Sequence, residues 1–539
     1  MSNLFNKTNF LFRVSLRRDW LKLCLWFAII VILMTTIAYK FTDMYGTTAE
    51  INSIMPTLRE GSMVAMFGTF SYPLNSIDTA HVFANEMTLF MAIVMIVLNI
   101  AITVKATRSE EDSGLTELLR AKSTGKLASL AASTWEIFLY NLVIGVLLSL
   151  GLYFANMNGS ELTGDFLLGL SLGVVGFMFG AIAMVMAQIS DHSSGATMWS
   201  YLIFGIFYIV RMMTDVQNPS YTWWSPLGWI EKTSAYQDNN WLPLIYMLIL
   251  SMVLVILAFF LNQHRDTGSG LVATHSGRRT ASRFLRGPIS LGWRLNRTII
   301  ISWFIGVAAL GASYGSIFKN IGQILKSNST MQQVFTKGAS NAASHQILLN
   351  FIAIISIIIV IVSSIPSVQL MLKLKSDEGK GWLELLHAKP LSRTRLYLSY
   401  YLISAISGIL LWFVGIGSLI VTGNSVLDSA NQLSYDLLWS SFAAFIPALL
   451  IMIGITAVIV GFIPQFGSAM WLYIVYAVVA MYLGNLVDMP NWAKQFTPFA
   501  WVPKVPLKDF SGVTFSWMLI VAAILLVVGL YGYRRRDLK

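Results

Sequence analysis

Arg108–Lys126 reads RSEEDSGLTELLRAKSTGK, and Lys375–Arg393 reads KSDEGKGWLELLHAKPLSR. The two stretches align without a gap at an offset of 267 residues, with eight identities in nineteen positions. Five of the identical pairs are Glu111/Glu378, Gly114/Gly381, Glu117/Glu384, Leu118/Leu385 and Leu119/Leu386. A match of that density marks an internal repeat, the feature to seek before any single motif. Two further anchors follow in the same order at an offset of 272. Gly195, Met198, Trp199 and Tyr201 match Gly467, Met470, Trp471 and Tyr473; Pro226, Trp229 and Lys232 match Pro498, Trp501 and Lys504. The chain is therefore two fused copies of one unit.

What each copy contains follows from composition. Of 539 residues, 56% are hydrophobic and only 12% charged, with a mean hydropathy of +0.66. A soluble chain carries about a quarter charged residues. The apolar residues fall in runs of about 18 or more, each able to cross a hydrocarbon core of about 30 Å as a helix. Twelve spans are expected: about 21–39, 82–104, 134–154, 166–187, 198–213 and 241–262, then about 298–318, 347–372, 397–422, 436–462, 468–487 and 514–533. The expected fold is all-α and polytopic. Its parts are a first six-helix half (1–262), a basic cytoplasmic linker (263–297) and a second six-helix half (298–539). Six is even, so each copy ends on the side where it began, and the two copies run parallel, as in known transporter repeats. The first run lacks a small-x-small cleavage site and reads as a retained helix.

The net charge of +11 reports topology, and no nucleic acid is expected as a partner. With the N-terminus inside, 27 of the 37 Lys and Arg residues fall in cytoplasmic segments and 10 outside. Basic loops resist translocation, so both termini are expected in the cytoplasm. The linker, HRDTGSGLVATHSGRRTASRFLRG from His264, reads as a flexible tether. Its arginines are alternatively a contact for anionic lipid headgroups. Cys24 is the sole cysteine, so no internal disulfide forms, and no cluster suggests a metal.

The segment SGLTELLRAK predicts a short amphipathic helix. Ser113 is placed to cap it. Leu115, Leu118 and Leu119 share a face at three- and four-residue spacing. Glu110, Glu111 and Asp112 stand at its positive end. The second copy offers Trp382, Leu385 and Leu386 behind Asp377 and Glu378. A small apolar face fringed by acids, shown twice in the cytoplasm, suits a two-fold partner such as an ATPase dimer. The expected docking residues are Glu110, Glu111, Gly114, Leu115, Glu117, Leu118 and Leu119, with Asp377, Glu378, Gly381, Trp382, Glu384, Leu385 and Leu386. The plainer reading, a helix lying on the bilayer, accounts for neither the acids nor their duplication, since acids are poor neighbours for anionic lipid.

With EEDSGLTELLRAKSTGK, WWSPLGW and the repeat in view, the chain resembles the ABC-2 type permeases, in particular the fused double-length permeases of the tetronasin and polyketide antibiotic exporter family. The resemblance implies a bacterial cell membrane and export of a hydrophobic or amphipathic, drug- or antibiotic-like compound. It also implies a cytoplasmic ABC ATPase partner, as a homodimer or heterodimer, that holds ATP and Mg; no catalysis and no cofactor are expected on this chain. The second copy departs from the pattern, with Gly379 and Lys380 where the first has Asp112 and Ser113. The resemblance further implies that spans two, five, eight and eleven line a pathway. Candidate lining residues are Trp199, Tyr201, Phe204 and Tyr208, with Trp471, Tyr473 and Tyr476. Ordinary helix packing and interfacial belts explain such aromatics equally well, residue by residue.

Missing motifs narrow the chemistry. A P-loop requires G-x-x-x-x-G-K-[ST]. Gly125-Lys126 has Arg120 at the first glycine position, and Gly379-Lys380 has Leu374. The alternative function is an ion-coupled carrier with two six-helix halves. Such carriers place ionisable residues within the bilayer. Here Glu86 and Glu136 precede apolar runs and are expected at an interface, with a buried proton relay as the other possibility. The Trp223–Trp241 and Pro490–Lys508 segments, rich in Trp and Pro, are expected as shallow elements on the outer face.

Overall fold

The computed structural model describes residues 4–59, 61–70, 77–121, 124–266, 268–272, 280–316, 318, 344–383, 391–427, 432–483 and 489–536. Among these the chain is helical. The nearest approach to a sheet is one isolated bridge between Ser190 and Val272. Twelve helices are long and apolar enough to cross a membrane: Thr8–Met44, Thr79–Asp112, Ala128–Ala155, Leu162–Ile189, Ser193–Gln217, Leu242–His264, Pro288–Ser316, Leu348–Gly379, Arg393–Val426, Tyr435–Phe462, Pro464–Tyr482 and Gly512–Arg535. They are called spans 1 to 12 below. The protein is a multi-pass membrane protein, and each expected span has its helix.

The differences lie at the ends. Span 1 starts thirteen residues before its apolar run, because Asp19 joins Arg18, Lys22 and Lys105 in ion pairs that support a polar helical turn. Span 5, expected to be short, continues to Gln217 because Arg211 and Asp215 are paired one helical turn apart. Two helices in the segment between spans 1 and 2, Thr48–Leu58 and Gly61–Phe67, had no signal in the pattern of apolar residues.

The chain divides into two compact units, Met1–Gly277 and Arg278–Lys539. In the first, span 4 is central: 83% of its apolar window is buried, against 17% in span 5. Small residues allow that burial. A Cβ added at Gly176 would stand 2.5 Å from Asn141 Oδ1 and from Asn99 Nδ2. Those two amides bond reciprocally between spans 2 and 3, at 3.0 and 2.6 Å. Without water in the hydrocarbon, paired amides satisfy one another and fix helix neighbours. In the second unit, spans 8 and 10 are the most buried, each at 67%. Span 7 lies close along span 9, where an added Cβ at Gly311 would meet the Gly415 carbonyl at 2.3 Å.

The linker is not a free tether at its start. Leu271 and Val272 donate to the carbonyls of Gln188 and Ile189, at 3.2 and 3.0 Å. Gly270 donates to Asp191 Oδ1. Residues 268–272 thereby fold onto the turn between spans 4 and 5, and the backbone polar groups of both segments find partners.

Candidate sites at the duplicated turn and the aromatic spans

Span 2 does not stop where its apolar run ends. It passes through one π-helical turn, Lys105–Ser109, and ends at Asp112. Gly114 then takes a left-handed conformation, φ +76°, and a separate six-residue helix runs Leu115–Arg120. Span 8 ends the same way: Gly381 has φ +71°. Gly114 donates to the Glu111 carbonyl at 3.0 Å, and Gly381 to the Glu378 carbonyl at 2.9 Å. The glycine shared by the two copies is thus explained, because a side chain resists this conformation. The corner also revises two expectations. Ser113 does not cap the short helix; its hydroxyl donates to the Glu110 carbonyl, and Gly114 stands between. Glu110, Glu111 and Asp112 close span 2 and do not open the short helix.

Glu111 is buried. Its carboxylate receives both terminal nitrogens of Arg265, at 2.8 and 2.5 Å, and the backbone N–H of Gly268 at 2.8 Å. Arg265 Nε donates to Gln188 Oε1 at 2.8 Å, and Asn262 shares that acceptor. Arg108, 1% exposed, bonds Asp112, the Gly268 carbonyl and the Asp191 carbonyl. A bidentate, fully bonded pair of this kind is rigid. It joins the ends of spans 2, 4 and 6. Unit two repeats the joint: Arg536, which follows span 12, pairs with Glu378, the partner of Glu111 in the repeat. Asp377 is buried and accepts from Tyr400 Oη at 2.6 Å. In the sequence, Arg265 reads as a linker residue, a topology-setting charge or a lipid contact, and Arg536 as one of the cytoplasmic charges. The readable signal was the Arg-Asp pair that follows both sixth helices, 265–266 and 536–537.

Four of the acids expected to face a partner are therefore committed within their own unit. Glu111 and Asp377 are covered, Glu378 holds Arg536, and Glu110 pairs with Arg18 at 2.6 Å. Beside them, large apolar side chains stay at the surface. Leu118 is 69% exposed and Trp382 50% exposed, the latter with the Lys380 ammonium 4.7 Å above its ring. Glu117 is exposed, Leu115 half-buried, and Leu119 turns inward against Leu11, Ala128 and Ala132. Glu384, Leu385 and Leu386 lie outside the described residues.

The aromatic residues of span 5 divide. Trp199 is exposed, while Tyr201 is half-buried and donates to the Val97 carbonyl of span 2 at 3.4 Å. Phe204 packs edge-on against Phe179, and Tyr208 lies 5.0 Å beneath the Arg211 guanidinium. In span 11, Trp471 is exposed. Tyr473 and Tyr476 donate to the carbonyls of Phe496 and Ala493, holding the outer segment after that span. Glu136, expected at an interface, is buried inside span 3 and accepts from Tyr140 Oη, one turn on.

A charged cluster at the far end of span 5 had no counterpart in the sequence analysis. Arg211 is wholly buried, 3.3 Å from Asp215 and 3.1 Å from Glu231, and also donates to the Ala65 carbonyl. Asp215 accepts from Thr222 Oγ1. The expected shallow element after span 5 is thus two short 3-10 helices, Pro219–Trp224 and Gly228–Thr233, anchored on a buried guanidinium. Burial pushes the Glu231 carboxyl well above its ordinary value of 4.5, against the pull of Arg211. Its Oε2 has no hydrogen-bond partner. The signal was an Arg and an Asp four apart in an otherwise apolar helix. At the 272 offset, positions 483, 487 and 503 hold Leu, Val and Pro, so this cluster belongs to one copy alone.

A family model described as "Multidrug efflux system permease Rv1217c, C-terminal domain" matches residues 14–261 and 285–534. One matched stretch falls in each unit. The chain is also similar to the multidrug efflux system permease protein Rv1217c of Mycobacterium tuberculosis (strain ATCC 25618 / H37Rv). The two are 28% identical over 539 residues, which covers 99% of this chain and 96% of the relative.

Proposed function

This chain belongs to the multidrug efflux system permease family that matches both of its units, and on that footing we propose that it exports drug- or antibiotic-like compounds from a bacterial cell. In this reading the cargo is hydrophobic or amphipathic, and both termini are cytoplasmic. The pump is of ABC-2 type, close to the tetronasin and polyketide exporters. ATP and Mg are held by a separate cytoplasmic ATPase dimer, and this chain performs no hydrolysis itself.

The observation that supports ATPase coupling is the duplicated turn. Each copy carries the same glycine corner and the same acid-to-arginine joint at the end of a spanning helix, with an apolar side chain, Leu118 or Trp382, left exposed. A push on either tip would pass into spans 2 and 6, or 8 and 12, through a rigid ion pair. The partner then reads the leucine and the tryptophan, and the acids behind them transmit.

Tandem affinity purification with candidate ATPases tests this. Leu118→Asp with Trp382→Asp is expected to remove the ATPase while leaving thermal unfolding of the permease unchanged. Wild-type recovery of the complex from that variant would overturn the docking assignment. Ion coupling is the second reading, favoured by the buried Glu136–Tyr140 pair. It requires uptake into inverted vesicles that persists without ATP, collapses with a proton ionophore and is lost in Glu136→Gln.

A further inference from the structure

The second unit holds a cavity of about 1200 Å³ between residues 282–297 and the cytoplasmic end of span 9. Four arginines line it: Arg286, Arg294, Arg297 and Arg395. No carboxylate among the described residues pairs with any of them. The cytoplasmic end of span 1 is built differently. There Arg18 meets Asp19 at 2.9 Å and Glu110 at 2.6 Å, and Asp19 also holds Lys22 and Lys105. Positive charge is neutralised internally at the end of span 1 and left open along this groove.

We propose that this groove binds the headgroup of an anionic phospholipid from the cytoplasmic leaflet. Three features select that ligand. Guanidinium groups match phosphate oxygens bidentately, and four of them open on one cavity. The wall is also greasy, with Trp293 and Phe284 exposed beside the arginines. Finally, the apolar floor continues into the bilayer region. Leu402 lines the cavity, and Ile406 and Leu410 follow at four-residue intervals on span 9, each more than 40% exposed. An acyl chain lies along such a lane; an acidic peptide or a free phosphate has no use for it.

Residue spacing supports a formed site. Gly287 and Arg286 donate their backbone N–H groups to Ser290 Oγ, at 3.2 and 3.1 Å, which fixes the entry to span 7. An added Cβ at Gly287 would stand 4.0 Å from Arg395 Nη2, so the linker end and span 9 approach closely there. The linker arginines near the span 7 entry thus acquire a role beyond setting topology. The inference stands without the transport reading.

The test uses the full chain, purified in a neutral detergent and freed of lipid. Thermal unfolding is followed while dioleoyl phosphatidylglycerol, dioleoyl phosphatidylcholine or inorganic phosphate is added. Phosphatidylglycerol alone should raise Tm. Arg294→Gln/Arg297→Gln/Arg395→Gln should weaken the midpoint at least about tenfold, since each basic group near an anionic surface contributes roughly equally. Arg13→Gln/Arg17→Gln should leave it unchanged. Leu402→Trp fills the floor and keeps every charge. It should abolish the lipid effect, and it carries the test if the triple variant does not fold. Equal shifts from phosphate alone, or an unchanged midpoint in both groove variants, would overturn the proposal.

Discussion

At the scale of single residues, the decisive fact is where charge has been placed out of water. Glu111 and Arg265 are each under 9% exposed and satisfy one another with two hydrogen bonds. Removing one partner of a buried pair costs about 3–5 kcal/mol, because the other is left uncompensated. Arg265→Met is therefore expected to lower Tm strongly, whereas the double variant Arg265→Met/Glu111→Gln recovers much of the loss. The same logic makes Glu111→Lys a poor probe of docking, since it disrupts span 2 first. Glu231 supplies the pH dependence. Its folded-state carboxyl titrates well above 4.5, so the folded protein binds a proton that the unfolded chain has lost. The sign follows from linkage: this contribution is complete below the ordinary carboxylate range and declines as pH rises from there through the folded-state value. Thermal unfolding across pH should show that decline, and Glu231→Gln should flatten it.

At the scale of elements, the two glycine corners carry the repeat. Nothing lies within 4 Å of a Cβ added at Gly114 or Gly381, so a substitution there meets only backbone strain. Gly114→Ala and Gly381→Ala should each cost about 1 kcal/mol, read as equal and small Tm shifts. Unequal shifts would mean that the two turns are not equivalent. The sequence located these turns and predicted a leucine face with free acids at each. Of the first face, Leu118 is exposed and Leu119 turned inward, and Glu111 is held by an arginine. A run of Glu and Asp ahead of a leucine-rich helix looks like a capped surface helix, because local pattern cannot show the arginine 154 residues away that claims Glu111. The boundary of span 5 failed similarly. Arg211 ends an apolar run by every hydropathy rule, yet Asp215 and Glu231 both lie within ion-pair distance of it and the helix goes on.

At the scale of the whole molecule, both duplicated turns lie in the cytoplasm in the proposed reading. Cys24→Ser gives a chain without cysteine. In that background, Leu118→Cys and Trp382→Cys should both label only from the cytoplasm, and Trp224→Cys, at a position 79% exposed, only from outside. Labelling of the two turns from opposite sides would break the parallel repeat and the shared-partner reading with it. The charged clusters differ between copies as well. The buried Arg211 group has no equivalent at 483, 487 and 503, so the copies are unequal after the fifth helix of each as well as at Asp112 and Gly379.

The amino-acid sequence by itself determined the class of the protein, the number of its spans and their grouping into two copies. Those properties follow from hydropathy and self-similarity, which are summed over twenty or more residues and survive any local error. The tertiary structure alone decided which charged side chains are available and which are spent. A carboxylate reads the same in water and in an ion pair; only the partner brought to it by folding, from a distant helix end, separates a surface acid from an internal strut.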